Sequence, residues 1–146
     1  MFKFNLQPVL NHRQFIEDSL QKAFAQLKER LAKEQDRLAD YERQQQNLTE
    51  ELAQKQRQGT TSSALLLYVN FLDQLKSDLE RQRLKVGDLE SQMASKREEL
   101  LEAMKDRKAL ERFKEKKFTE HRELLAKKEQ AFLDEIAINR HGRKQH

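Results

Sequence analysis

The residue types that carry out most protein chemistry are present in this chain, but their spacing builds no catalytic or metal site. Adjacent carboxylates, such as Glu50 and Glu51, point in different directions from a helix and cannot act as a pair on one substrate. The sequence has no phosphate-binding glycine-rich loop, no HExxH zinc motif and no nucleophile elbow. Its histidines also match no ligand spacing: His12, His121, His141 and His146. We therefore predict no enzymatic activity, no metal and no cofactor.

The composition is typical of long helices rather than of a globular domain. The chain has 146 residues, of which 37% are charged and 36% hydrophobic, with three glycines, one proline and no cysteine. The absence of cysteine excludes a disulfide framework and fits a reducing compartment. The N-terminus lacks a signal-peptide pattern, and the longest apolar run, 64–69, is too short to cross a bilayer. These features predict a soluble intracellular protein.

Apolar residues recur at alternating steps of four and three on both sides of one short break, which is the heptad pattern of a coiled coil. Within the break, Gly59 can end a helix in the left-handed conformation, and the Thr and Ser residues that follow can cap the next helix. So short a loop folds its flanking helices back antiparallel. The seam positions are Leu20, Phe24, Leu27, Leu31, Leu38, Tyr41, Leu48 and Leu52 before the break, and Leu65, Tyr68, Leu72, Leu75, Leu79, Val86, Leu89, Met93 and Leu100 after it.

The sequence therefore predicts an all-α fold, a long antiparallel two-helix coiled-coil hairpin in a single domain. Helix 1 is expected at about 8–57, the turn at 58–62 and helix 2 at 63–140. With the turn near residue 60, facing residues have numbers that add up to about 120, so that Leu48 faces Leu72 and Gln82 faces Leu38.

By the same register, helix 1 has no residue to place opposite helix 2 beyond residue 112. We therefore predict that helix 2 overhangs helix 1, with 113–146 forming a basic unpaired overhang and tail. From Lys105 onward there are 13 Lys and Arg residues against 8 Asp and Glu residues. This charge suits an acidic protein surface, an anionic lipid or nucleic acid, although interleaved acids are also typical of ordinary helix surfaces.

Two apolar surfaces have no partner in this arrangement, and such surfaces commonly mark interaction sites. One is a stripe along the overhang, and the other lies just after the turn. The N-terminal Phe2 and Phe4 leave two alternatives open, since they can pack back as a hydrophobic staple or be held by another protein. The overhang stripe contains Phe118, Leu125, Phe132 and Ile136, and the residues after the turn without a seam position are Leu66, Leu67, Val69 and Phe71.

With these residues in place, the chain resembles the FliJ family of flagellar type III export proteins over nearly its full length. The first matching segment is FNLQPVL at 4–10, followed by Arg13, and the second is YVNFL at 68–72, between Gly59 and Leu75. The last matching segments are KALERFKEK at 108–116 and EQAFLDE at 129–135.

The resemblance implies a non-enzymatic part of the flagellar export machine, built as a two-helix coiled coil similar to the central stalk of rotary ATPases. The implied partners are the hexameric export ATPase FliI, the cytoplasmic part of the export gate FlhA, and export chaperones, but no nucleic acid. The implied location is the cytoplasm, peripherally at the inner membrane below the flagellum. We expect a monomer when the protein is free.

The resemblance also assigns the two apolar surfaces. The ATPase contact is expected at the open end of the hairpin, at Phe2, Phe4, Phe113, Phe118, Leu125, Phe132 and Ile136. The gate contact is expected near the turn, at Leu66, Leu67, Phe71 and Leu75, although Leu75 also has a seam position.

Two other functions remain open. One is the equivalent stalk of a virulence type III secretion system, which gene context would distinguish. The other is a basic helical hairpin that binds nucleic acid, for which a steep inverse dependence of binding on salt would be the sign.

Overall fold

A computed structural model describes the backbone of residues 1–144 and the side chains of residues 1–142. The end of the predicted basic tail, with the side chains of Arg143 and Lys144 and the whole of 145–146, lies outside the described residues. Two helices, α1 (Gln7–Gln58) and α2 (Ser62–Lys144), pack against each other, and no strand occurs within residues 1–144. The all-α helical hairpin predicted from the heptad pattern is confirmed.

The chain divides into two compact units, which are described separately. The turn unit comprises Ser19–Leu100, and the terminal unit comprises Met1–Asp18 with Leu101–His146.

The connection in the turn unit is made by residues 59–61. Gly59 has a φ of 89°, a left-handed conformation that costs glycine little and that ends α1. The hydroxyl of Thr61 accepts a hydrogen bond from the backbone N–H of Ala64 at 3.2 Å, and its carbonyl accepts one from Leu65 at 3.1 Å. Thr61 is therefore the N-cap of α2, and it satisfies a backbone donor that the first helical turn would otherwise leave unpaired.

The core of the turn unit is a seam of heptad residues. Leu79 and Leu89 are the most deeply buried of them, with 1% and 2% of their surface exposed. Contacts between the helices follow the predicted register: the Tyr68 hydroxyl donates to Glu51 at 3.2 Å, and Lys85 lies 3.2 Å from Glu34. The numbers in each pair add up to about 120, as expected for antiparallel helices joined near residue 60.

A polar pair interrupts this seam. Gln82 is buried, and its amide Nε2 donates to the backbone carbonyl of Glu34 at 2.9 Å and to the Glu34 carboxylate at 2.6 Å. The hydrogen bond from Gln82 lowers the pKa of Glu34, and the nearby charges of Lys85 and Arg37 lower it further. Burial acts in the opposite direction and raises this pKa, but its effect is the smaller one. The register predicted from the sequence places Gln82 opposite Leu38. Its hydrogen-bond partner is instead Glu34, which lies one helical turn before Leu38 on α1 and also points into the seam.

The seam of the terminal unit contains a buried ion pair. Glu17 is 3% exposed, and the Arg107 guanidinium contacts both of its carboxylate oxygens while also donating to Glu111 at 2.9 Å. The hydrogen bonds from Arg107 to Glu17 and Glu111 raise the pKa of Arg107. A guanidinium that donates two hydrogen bonds to one carboxylate fixes the distance between the two side chains and their relative orientation. This pair therefore stabilises one register between the helices of the unit.

We predict that Arg107→Met lowers the melting temperature of the protein by several degrees, because it leaves the Glu17 carboxylate buried without its partner. Circular dichroism at 222 nm during heating measures the effect. The double variant Glu17→Leu, Arg107→Met should recover most of the loss, since no buried charge then remains. Lys33→Met is the matched control, because its pair with Glu29 is about 70% exposed on both sides. Equal melting of the Arg107 and Lys33 variants would contradict the assignment.

The N-terminal strap, defined as residues 1–6, precedes α1 and packs on α2. The Phe4 side chain is 9% exposed, and its ring centre lies 6.0 Å from that of Phe113. The Phe2 ring meets the Phe118 ring edge-on at 5.3 Å and lies 5.6 Å from His121.

The strap changes the extent of pairing predicted from the sequence. The strap continues the antiparallel register beyond α1, since the numbers of Phe2 and Phe118 add up to 120, and the segment 113–121 that was expected to be unpaired contacts the strap as far as His121. The ring partners of Phe2 and Phe4 lie on α2. The sequence left two alternatives open, a hydrophobic staple within α1 or a contact with another protein, and neither of them places these rings on α2.

Candidate protein-interaction surfaces

Two adjoining grooves lie beside the seam of the turn unit, and together we call them the Phe71 groove. Their volumes are about 420 Å³ and about 340 Å³, and Leu48 and Phe71 line both of them. The remaining lining residues are Gln44, Asn47 and Glu51 of α1, and Ala64, Leu67, Tyr68, Gln74, Leu75 and Asp78 of α2.

The groove combines exposed apolar side chains with a polar rim. Phe71 is 65% exposed and Leu67 is 62% exposed, so both offer apolar surface to another molecule. The rim carries amides and carboxylates, with Asp78 accepting a hydrogen bond from the Gln74 amide at 3.2 Å. Apolar side chains at the centre and hydrogen-bonding groups around them are the usual anatomy of a protein-protein interface.

Tyr68 lies at the base of this groove. Burial raises the pKa of Tyr68, and its hydrogen bond to the Glu51 carboxylate raises it further. The hydroxyl therefore stays protonated at neutral pH and continues to donate to Glu51. This contact holds one rim carboxylate in place across the two helices.

The structure separates the four residues predicted for the gate contact. Leu67 and Phe71 line the groove together, one helical turn apart. Leu66 is 61% exposed but lines neither part of the groove. Leu75 is only 8% exposed and lines the groove from the seam, where the heptad register places it, and its part in a gate contact stays a prediction.

In the terminal unit, the strap and α2 form a second surface, the aromatic root, which consists of Phe2, Phe4, Phe113, Phe118 and His121. The Lys117 ammonium lies 5.4 Å from the centre of the Phe113 ring, and the Arg122 guanidinium lies 5.9 Å from that of Phe118. These distances allow cation-π attraction. Phe113 and Phe118 keep 40% and 43% of their surface exposed, so the root is apolar, cationic and only partly covered.

Beyond the root, α2 continues through 125–142, and this segment, shorter than the 113–146 expected from the sequence, is the overhang of the structure. Every residue of this segment except Ile136 is exposed. Leu125 and Phe132, both predicted as contacts, are 46% and 63% exposed, whereas Ile136 is half-buried.

Sequence reasoning missed three exposed apolar residues of α2 in this region, because it followed only one stripe along the helix. They are Leu124, Leu133 and Ile138, which are 52%, 58% and 71% exposed.

Among the described residues, no helix combines the length and apolar character needed to cross a membrane. In the same part of the chain, no group of three or more His, Asp or Glu side chains is arranged to hold a metal ion.

The fold and these surfaces define a class of protein, a two-helix coiled-coil hairpin that presents apolar side chains for binding. The profile of the family described as "Flagellar FliJ protein" matches residues 2–146, and the chain belongs to this FliJ family. It is therefore a component of the type III protein export apparatus.

Among solved structures, the fold is similar to that of a protein from Chlamydia trachomatis, CT670, described as a YscO homolog. The TM-score is 0.55 and the sequences are 23% identical, with 99% of this chain and 98% of the other covered. At this identity the likeness shows a shared fold. No curated protein sequence matches the chain.

Proposed function

We propose that this protein links the flagellar export ATPase to the membrane export gate and assists the cycling of export chaperones, without catalysing a reaction itself. The observation that carries the proposal is the presence of two separate exposed apolar surfaces on a FliJ-family hairpin. The Phe71 groove lies in the turn unit, and the overhang with the aromatic root lies in the terminal unit.

The overhang and the α2 side chains of the aromatic root are the proposed contact with the ATPase ring. Phe118, Leu125 and Phe132 are each more than 40% exposed, and the Arg122 guanidinium beside Phe118 favours a partner with acidic groups. A single helix can enter a narrow central opening that a helix pair could not, since its diameter with side chains is about 10–12 Å. Phe113 and Ile136 extend the same contact, and Phe2 and Phe4, which the sequence also predicts as contacts, lie against its Phe118 and Phe113 rings in the free chain.

The Phe71 groove is the proposed contact with the cytoplasmic part of the export gate. Its two exposed anchors, Leu67 and Phe71, lie one turn apart on α2 and are surrounded by the polar rim. An aromatic anchor in an apolar groove is the arrangement in which few residues supply most of the binding energy.

The proposed coupling mechanism requires that one hairpin binds the ATPase and the gate at the same time. Nucleotide-driven changes in the ATPase ring alter which arrangement of the bound hairpin has the lowest free energy, and this difference biases the state of the gate. The protein supplies connection and stiffness, and the ATPase supplies the energy.

Two parts of the proposal rest on family membership alone. These are the binding of export chaperones and the position at the cytoplasmic face of the inner membrane, at the flagellar base.

A second candidate is the corresponding stalk of a virulence type III secretion system. It is favoured by the fold shared with a protein described as a YscO homolog, over 99% of this chain. Flagellar genes beside the gene for this chain would support the first function, and genes for a secretion needle would support the second.

The proposed function is tested by purifying the tagged full-length chain from its native cells under gentle conditions. We expect a hexameric ATPase and a membrane export component to co-purify with it. Tagged Leu84→Glu is the matched control for surface changes, because Leu84 is 76% exposed and lies in neither surface. Recovery of neither partner would contradict the proposal.

A further inference from the structure

We infer that the N-terminal strap is displaceable: in the free protein it occupies part of the α2 surface that binds the ATPase, and it leaves that surface when the ATPase binds. The inference rests on the proposed function, and it adds a competing segment that lies within the same chain.

The strap is tied to the start of α1 by its backbone and to α2 by aromatic rings. The carbonyls of Phe4 and Leu6 accept backbone hydrogen bonds from Gln7 and Leu10, at 3.1 Å and 3.0 Å. Its contacts with α2 include those of the Phe2 ring with Phe118 and His121. Ring contacts of this kind can be exchanged for the side chains of a partner without breaking the helix they cover.

The strap also packs incompletely. An open groove of about 700 Å³ lies between the strap and α2 near Lys117 and Leu124, and another of about 600 Å³ lies near Pro8 and Lys114. Phe113 and Phe118 accordingly remain 40% and 43% exposed beneath the strap, which covers them only in part.

The covered surface continues directly into the uncovered one. Leu124 lines the same groove as Phe2 and is 52% exposed, and Leu125 follows at the start of the overhang. An ATPase surface that covers these leucines therefore meets the Phe2 ring. Removing that ring would let the partner extend its contact toward Phe113, by about three helical turns from Leu124.

The chemistry of the occupant follows from the same residues. The exposed rings favour apolar side chains, and the Arg122 guanidinium beside Phe118 favours a carboxylate, whereas Lys117 already lies 3.5 Å from the Glu120 carboxylate. Phe2 supplies only the apolar part of this match. A partner segment with both features has more to gain from the site than the strap has.

The experiment uses the full-length chain, which has no cysteine of its own. In the variant Phe2→Cys, His121→Cys, a short bismaleimide joins the strap covalently to α2. The control variant Glu42→Cys, Arg83→Cys is joined in the same way across an exposed ion pair of the turn unit. The affinity of each chain for the purified cognate ATPase is measured before and after joining, alongside Phe2→Ala.

Joining the strap should weaken ATPase binding by about tenfold or more, because the strap can then no longer leave the α2 surface to which the ATPase binds. Joining the control pair should leave the affinity unchanged, and Phe2→Ala should bind several-fold more tightly than wild type. Equal affinity before and after joining the strap would overturn the inference, as would weaker binding by Phe2→Ala. If the wild-type chain itself fails to bind the ATPase, the proposed function falls, and the strap inference falls with it.

Discussion

A chain that ends after Leu124 should lose its stimulation of the cognate export ATPase while its paired helices remain folded. This truncation removes the overhang, including five apolar residues: Leu125, Phe132, Leu133, Ile136 and Ile138. Burying one such side chain contributes about 1.5–3 kcal/mol, so the loss of only two of them weakens binding by about hundredfold or more.

The cut after Leu124 spares the contacts that join the helices of the terminal unit. The strap rings pack on Phe113, Phe118 and His121, and the buried ion pair uses Arg107. A shorter chain ending at Leu110 would lose the strap contacts as well, and its result would be harder to interpret.

Steady-state ATP hydrolysis by the purified ATPase, with and without the chain, measures the effect. Thermal melting followed by circular dichroism shows whether the truncated chain still folds. A chain that ends after Asn139 is the matched control and should stimulate fully, since it keeps the exposed apolar residues of the overhang. Full stimulation by the chain that ends after Leu124 would show that the overhang is not the ATPase contact.

The second large effect is expected at the turn unit, where Phe71→Glu should abolish binding to the cytoplasmic part of the export gate. The substitution removes the aromatic anchor of the groove and places a carboxylate where the partner would have to desolvate it. We expect affinity to fall by about hundredfold or more, which corresponds to a loss typical of a central interface residue. Helicity should not change, because Phe71 is 65% exposed and lies outside the seam.

Isothermal titration calorimetry of the purified gate domain with the full-length chain measures this loss of affinity. Phe71→Leu should retain part of the affinity, and Leu84→Glu should retain all of it. ATPase stimulation by Phe71→Glu should equal that of wild type, because the groove and the overhang belong to different units. If Phe71→Glu binds the gate domain as tightly as wild type, the Phe71 groove is not the gate site.

The hairpin and its seam could be predicted because they depend on periodicity alone. The heptad rule identifies Leu79 and Leu89 as core residues, and they are the two most deeply buried leucines in the chain. Gly59 identifies the turn, because its backbone can adopt the positive φ that ends a helix.

The buried charges could not be predicted in the same way. Glu17 and Arg107 look like ordinary surface residues in a chain that is 37% charged, and periodicity does not say which charged side chain turns inward. The strap escaped prediction for a different reason. The register was followed only as far as the start of helix 1, although the numbers of Phe2 and Phe118 also add up to 120.

The candidate sites were predictable only in part. Leu66, Leu67 and Phe71 were found by elimination, since they have no seam position, but elimination does not show which side of the helix pair each residue occupies. The structure places Leu67 and Phe71 in the groove and leaves Leu66 outside it.

The central claim is that one hairpin can hold the ATPase and the gate at the same time. Size-exclusion chromatography with multi-angle light scattering tests it on a mixture of the full-length chain, the hexameric ATPase and the cytoplasmic gate domain. The account predicts a single species whose mass contains all three components, and its dissociation into an ATPase complex and free gate domain with Phe71→Glu. Mutually exclusive complexes, in which the gate domain displaces the ATPase from the chain, would contradict it.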